Sequence, residues 1–318
     1  MTNTKIAVVI PAYEAEKTLR SAVHSVLEQE IEVPIEICIA VAPSKDGTFE
    51  LAKEIESEND NIKVLENHTG LTPVGLNMAI RATSSTIIVR LDAHAEFEDG
   101  YFYKAVEALE STKSANVGGM QKPSGETAFE KAVGIATSSR FGAGDARFRI
   151  GGKAGPVDTV YLGVFERKAL ESVGLYDETL VRNQDAELNW RLRESGRQVW
   201  FQPELVTRYK PRSDLKSLAR QYFGYGQWRR HVIKMHPKSL RLRQIISPLT
   251  IIFISVALIT GIFWSSAFLI PVVYVTGVFS ASINTSKNLQ NFIYLLAIFP
   301  TIHFCWGAGF LCGVKKFT

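Results

Sequence analysis

The residues best suited to chemistry stand at the end of a short apolar run. Thr86 to His94 reads T-I-I-V-R-L-D-A-H, in which Ile87 to Leu91 has strand length and β-branched character. The run stops at Asp92, with His94 two places on, so a carboxylate and an imidazole, two potential metal ligands, follow a strand. In an open α/β sheet such residues face the crevice beyond the carboxyl ends of the strands, where ligands collect. The same acid also suits a turn or a helix cap. A pair of acids, Asp185 and Glu187, opens the strongly helical segment Gln184 to Ser195, where the helix N-terminus stabilises a carboxylate. Between Arg212 and His236, cations and aromatics alternate, with Arg220, Gln221, Trp228 and Arg229 among them. Phe141 to Pro156 holds five glycines together with Arg147, Arg149 and Lys153, the composition of a loose connection or of a lid over an anionic ligand.

The elements that must position these groups follow a regular rhythm. Strands are expected at Lys5–Ile10, Ile35–Val41, Ile62–Leu65 and Ile87–Leu91, and helices at about 15–29, 48–57 and 73–82, the last begun by Pro73. Strand and helix alternating at about 30 residues argue for a parallel sheet with right-handed crossovers. After Asp92 the rhythm changes: helices are expected at 100–111 and 126–138, strands at 116–121, 158–167 and 198–201, and helices at 184–195 and about 214–233. No G-x-G-x-x-G follows the first strand, which argues against a dinucleotide-binding fold.

The apolar residues of this 318-residue chain are unevenly spread, although 46% hydrophobic and 21% charged content is that of an ordered protein. Between Ile245 and Val314 the only full charge is Lys287. Residues 245–263, 267–283 and 289–314 each approach or exceed the length that crosses a bilayer, the last interrupted by Pro300. The net charge of +4 is concentrated just ahead of this tail, in Arg229, Arg230, Lys234, Lys238, Arg241 and Arg243. That placement suits an anionic membrane surface and implies no nucleic-acid partner. By the positive-inside rule it puts this edge, and Lys287, in the cytosol; Lys315 and Lys316 then fall on the outer side, a mild violation that leaves the third segment open to a re-entrant or interfacial placement. The apolar run at the N-terminus is too short for a signal peptide, so the body is expected to stay cytosolic. Cys38, Cys305 and Cys312 lack zinc spacing and read as reduced. The expected organisation is a catalytic domain over 1–212, an amphipathic interfacial region over 213–244 and a membrane domain over 245–318.

Taken in order, Pro11-Ala12-Tyr13-Glu14 after the first strand, Asp46-Gly47-Thr48 after the second, Asp92-Ala93-His94 after the fourth and Gln184-Asp185 opening a helix resemble the family 2 glycosyltransferases. The phrases V-R-L-D-A-H, T-V-Y-L-G-V-F-E-R and N-Q-D-A-E-L-N-W-R-L-R, with the apolar tail, most resemble the branch that builds succinoglycan-type exopolysaccharides. The resemblance covers essentially the whole chain and is specific as a set. It implies an α/β fold of the GT-A nucleotide-diphospho-sugar transferase type, a mixed, mainly parallel sheet flanked by helices, followed by transmembrane helices at the plasma (inner) membrane.

It also implies roles. A nucleotide-sugar donor leaves a diphosphate whose developing charge a divalent cation can neutralise. Asp92 is a hard oxygen ligand for Mg²⁺ or Mn²⁺, and His94, where many relatives carry a second Asp, adds a nitrogen that favours Mn²⁺. Asp185 matches the family's base, which takes the proton of the acceptor hydroxyl in an inverting transfer; Glu187 is the second choice. Pro11, Tyr13 and Glu14 would form the donor nucleotide pocket with Asp46, and Asp92 would lie near the donor ribose or sugar. Where relatives carry D-D-G-S-x-D-G-T this chain has Val41-Ala42-Pro43-Ser44-Lys45-Asp46-Gly47-Thr48, so the acid that reads uracil is replaced by an apolar residue. A UDP-sugar remains the first choice of donor. Arg220, Gln221, Tyr225, Trp228 and Arg229 resemble the site that meets acceptor and diphosphate in membrane-associated relatives. The Q-x-x-R-W signature of processive synthases is absent, which points to a single sugar addition to a lipid-linked or glycan acceptor. The competing expectation is a degenerate domain that only binds a nucleotide or a partner.

Overall fold

A computed structural model describes residues 5–314 of the chain; Lys315 and Lys316 lie outside them. The elements, in order, are β1 (Ile6–Ala12), α1 (Leu19–Leu27), β2 (Ile35–Val41), α2 (Thr48–Glu58), β3 (Ile62–Glu66), α3 (Thr72–Arg81), β4 (Ile87–Arg90), β5 (Ala95–Phe97), α4 (Tyr101–Thr112) and β6 (Asn116–Pro123). There follow α5 (Ala128–Thr137), α6 (Arg140–Ala143), α7 (Arg147–Ile150), β7 (Gly155–Pro156), β8 (Val164–Glu166), α8 (Arg167–Ser172), α9 (Gln184–Glu194) and β9 (Val199–Tyr209). The chain ends in α10 (Leu215–Met235), α11 (Arg243–Thr260), α12 (Leu269–Thr285) and α13 (Leu289–Cys312). Two compact units result. The described residues up to Lys122 with Gly151–Tyr209 form one, and Pro123–Ile150 with the described residues from Lys210 onward form the other. Pro123–Ile150 thus groups with the tail, whereas the sequence reading placed it in the 1–212 domain.

In the first unit a nine-stranded sheet runs in the order β3-β2-β1-β4-β8-β6-β9-β5, with β7 on β9. The first four strands are parallel. β1 and β4 are buried along nearly their whole length, which is why they read as unbroken Val and Ile runs rather than alternating ones. β8 then pairs antiparallel with both β4 and β6, and β5 and β7 antiparallel with β9. This half was the less legible. The strand expected over 158–167 forms only as β8, because Leu162 (φ 58°) and Gly163 (φ 122°) turn the backbone out of extended geometry. The strand expected to end at Phe201 continues to Tyr209. β7 pairs with its start and β5 with its end, leaving Pro203 outside both stretches. Gly119 lets β6 approach β9 closely, since a Cβ there would overlap the Leu205 carbonyl oxygen.

The second unit is helical. A capping box of Thr127 and Glu130 starts α5, and Asp214 caps α10 through the Ser217 N–H at 2.8 Å. Its core joins Ala132, Val133 and Ala136 of α5, Leu218 and Tyr222 of α10, Val278 of α12 and Leu295, Ile298, Phe299 and Ile302 of α13. Most of the glycine-rich basic stretch is folded, as α6, α7 and β7. Three helices, Arg243–Thr260, Ser265–Thr285 and Leu289–Cys312, are long and apolar enough to cross a membrane.

Candidate active site

The site grows from the carboxyl end of β4. Arg90, the last residue of that strand, is 5% exposed, and a cation so placed requires partners. It has two. Its Nε and Nη2 donate to Asp92 Oδ1 at 3.0 and 2.9 Å, and its Nη1 donates to Asp185 Oδ1 at 2.6 Å. Asp92 and Asp185, far apart in sequence, are therefore held on one guanidinium. Tyr176 lies 5.7 Å from the guanidinium, ring to cation. The turn that carries Tyr176 is pinned by Asn77 of α3, which donates to the Tyr176 carbonyl at 2.9 Å and accepts from its N–H at 3.0 Å.

The electrostatics follow from burial. The Asp92 and Asp185 side chains are only 33% and 23% exposed. Burial pushes Asp185 up to about 6; Arg90 opposes the rise, Asp92 adds to it, and the Leu162 N–H opposes it again. Burial works against the Arg90 cation, but Asp185 and Asp92 outweigh it and hold it charged well above its usual range. Asp185 thus sits in the first turn of α9 as an acid that changes state near neutral pH. Glu187, the second choice for the base, is 1% exposed and is locked by Arg191 at 2.7 Å, so it is a structural ion pair and not a base open to substrate.

The residues expected to contact the donor take up two arrangements. Tyr13 is 53% exposed, Pro11 is half-buried, and Glu14 is exposed with φ 45°. The loop after β2 clamps this turn: Ser44 Oγ accepts from the Glu14 N–H at 3.0 Å, and Thr48 Oγ1 from the Ala15 N–H at 2.8 Å. Asp46 completes the clamp, its Oδ2 accepting from the Glu16 N–H at 3.2 Å and its Oδ1 from the Thr48 hydroxyl and N–H. Those bonds, the Thr48 hydroxyl first, hold its carboxyl below the usual range. With both oxygens engaged, Asp46 shapes the pocket wall. An open hollow of about 350 Å³ lies here, lined by Glu14, Glu16, Lys17, Thr18, Lys45, Asp46 and His94. His94 Nδ1 is 2.8 Å from Thr18 Oγ1, a contact that orients its ring.

Among the described residues no group of three or more His, Cys, Asp or Glu side chains is placed to hold a metal ion. Asp92 Oδ2 accepts no hydrogen bond from the described chain, while Oδ1 is held by Arg90. One carboxylate oxygen and one imidazole suit a cation that takes its remaining ligands from phosphate and water, as Mg²⁺ commonly does. Arg220, Gln221, Trp228 and Arg229 belong to the second unit, on α10. Arg220 is exposed, Gln221 is half-buried, and the Trp228 ring lies 5.5 Å from that of His231. Arg229 departs from its expected role as a substrate contact: it is 6% exposed and its Nη2 donates to the carbonyl and hydroxyl of Ser239 at 2.5 and 3.2 Å, fastening the end of α10.

Arg90, Tyr176 and the Leu162 N–H are the site groups that the sequence reading passed over. Arg90 carried a signal, a lone cation inside an otherwise apolar strand next to an acid. The other two carried none, since only the fold brings them there.

The family model described as "Glycosyl transferase family 2" matches residues 7–174. The chain is 28% identical over 316 residues to the succinoglycan biosynthesis protein ExoA of Rhizobium meliloti (strain 1021), covering 98% of this chain and 95% of that one. It is 25% identical over 230 residues to a dolichyl N-acetyl-alpha-D-glucosaminyl phosphate 3-beta-D-2,3-diacetamido-2,3-dideoxy-beta-D-glucuronosyltransferase of Methanococcus voltae, covering 70% and 71%. Among solved structures, the mannosyltransferase PcManGT from Pyrobaculum calidifontis in complex with GDP-Man and Mn²⁺ superposes with a TM-score of 0.66 at 15% identity, covering 94% of this chain and 87% of that chain. S. aureus TarS in complex with UDP-GlcNAc gives 0.55 at 13% identity, covering 99% and 94%.

Proposed function

The chain belongs to glycosyl transferase family 2, on the GT-A fold, and from that premise we propose that it moves one sugar from a nucleotide-diphospho-sugar to a lipid-linked or glycan acceptor at the cytosolic face of the plasma membrane, inverting the anomeric centre. The product would enter exopolysaccharide or cell-envelope synthesis, a reading supported by the likeness to ExoA along almost the whole chain. The apolar helices motivate the lipid-linked acceptor.

In this reading Asp185 accepts the proton of the attacking acceptor hydroxyl. Arg90 fixes the Asp185 carboxylate and turns Asp92 so that one oxygen is left for ligand. Asp92 and His94 would hold Mn²⁺ or Mg²⁺, which supplies the charge that neutralises the departing diphosphate. Pro11, Tyr13 and Glu14 contact the nucleotide, UDP by first choice, with Asp46 holding their loop. Arg220, Gln221 and Trp228 meet the acceptor; Arg229, committed to Ser239, is left out.

The observation that carries this is the pair of carboxylates, Asp92 and Asp185, shared by one buried guanidinium at the end of a central strand. Membranes carrying the protein are incubated with radiolabelled nucleotide sugars and a verified polyprenyl-phosphate acceptor fraction, and the lipid is extracted. Label in the organic phase that Asp185→Asn abolishes is the expected result; no label with any donor would refute the proposal. A binding-only domain is the alternative that the apolar replacement in the base-reading loop favours, and it predicts that cells with Asp185→Asn make wild-type polysaccharide.

A further inference from the structure

By length and composition α11, the stretch Ser265–Thr285 that includes α12, and α13 each qualify to cross a bilayer, and an odd number of crossings would leave the two ends of the membrane portion on opposite faces. The contacts within the second unit say otherwise. Ser247, at the start of α11 and just past the basic cluster, touches Gly307 near the end of α13, where a Cβ would stand 2.7 Å from the Ser247 carbonyl oxygen. Three residues further on, Arg230 of α10 donates to the Phe310 carbonyl at 3.3 Å and also to that of Leu311, and Gln227 donates to the Gly313 carbonyl at 2.9 Å. The other end of α13 lies beside the later half of α12, with the Phe279 and Phe292 rings 5.4 Å apart. Phe304, in the second half of α13, reaches the Tyr274 side chain in the first half of α12, the two rings 5.2 Å apart.

A three-crossing path would set the end of α13 about 30 Å from the start of α11, the thickness of the hydrocarbon core. Here they are neighbours. The helices behind α13 reinforce the point. From Tyr294 to Gly313, about 28 Å of helix, α13 is backed by α5 and α10: Phe129 meets Tyr294 ring to ring at 5.6 Å, and a Cβ at Gly226 would overlap the Trp306 carbonyl oxygen. α10 carries Lys216, Arg220, Arg229, Arg230 and Lys234. If α13 crossed, these charges would be carried to membrane depth beside it, at high cost. Between Gln244 and Ser286, by contrast, there is no charged residue, and α11 and α12 expose Phe253, Ile259, Val273 and Val275 over half or more of their surface.

We propose that only α11 and α12 cross the bilayer, as a helical hairpin whose turn at Trp264–Ser266 reaches the outer face, while α13 lies across their cytosolic ends with both of its own ends on that side. The hydrophobic face of this membrane unit is thus a two-helix anchor, and α13 is the seam that joins it to α5 and α10. The described end of α13 then shares the side of the basic residues ahead of α11, the side that the positive-inside rule assigns to the cytosol. The inference rests on the membrane reading of the tail and not on sugar transfer.

The test fuses green fluorescent protein or alkaline phosphatase after Thr318 of the full chain, and labels Ser265→Cys in intact cells with a membrane-impermeant maleimide. Expected are bright fluorescence, phosphatase activity no higher than in untagged cells, and maleimide labelling of the Ser265→Cys chain that the parent chain lacks. An active phosphatase fusion overturns the inference, as does a Ser265→Cys chain labelled only after lysis. Alkaline extraction separates this from the premise: a chain in the soluble fraction refutes the membrane reading itself, whereas a membrane-embedded chain with an external C-terminus refutes only the hairpin.

Discussion

A guanidinium buried at the end of a strand must be neutralised, and the way Arg90 meets that need arranges the site. Removing one partner of a buried ion pair costs roughly 3–5 kcal/mol, because the remaining charge is stranded. Arg90→Ala is therefore expected to lower the unfolding temperature as well as to abolish transfer. Arg90→Lys keeps the charge but loses the fork that reaches two carboxylates, so its unfolding temperature should fall between those of the parent and Arg90→Ala and kcat should fall, with thermal unfolding and kinetics read on the same preparation. Asp185→Asn should remove roughly 10²- to 10⁴-fold of the rate. The pH profile has a defined sign. Asp185 acts as the carboxylate, and its pKa is raised to about 6, so kcat/KM should fall about tenfold per pH unit below that point and stay level above it. An acid raised by folding binds its proton more readily in the folded chain. Its contribution to stability is therefore most favourable at low pH and declines as pH rises from the ordinary aspartate value through about 6.

At the scale of elements, two glycines decide whether helices and strands can meet. Gly226 lets α10 lie against the backbone of α13, and Gly119 lets β6 lie against β9. Gly226→Val should cost about 1–3 kcal/mol by overpacking, seen as a lower unfolding temperature in detergent and faster maleimide modification of the half-buried Cys305. Thr127→Ala, which removes one capping bond of α5, should cost only about 1 kcal/mol. The first four strands and their helices were legible beforehand because a buried parallel strand shows itself locally, as an unbroken apolar run. β8 and the later half of β9 were not, because their extent depends on which distant strand pairs with them and on the positive φ at Leu162 and Gly163.

For the whole molecule, a ligand that binds only the folded state stabilises it by about 2.7 kcal/mol at a hundredfold excess over Kd. A UDP-sugar with Mn²⁺ is expected to raise the unfolding temperature more than GDP- or dTDP-sugars do. EDTA or Asp92→Asn should abolish the metal-dependent part of that rise, and an equal response to all donors would remove the preference for UDP. The sequence alone determined the parallel α/β half, the strand end that presents Asp92 and the apolar, charge-poor tail, since periodicity and composition are properties of neighbouring residues. Only the tertiary structure decided that Arg90 joins Asp92 to Asp185, that Glu187 and Arg229 are locked in ion pair and helix end, and that the end of α13 comes back to the start of α11. Those facts depend on where side chains far apart in the chain come to rest, and no local pattern encodes that.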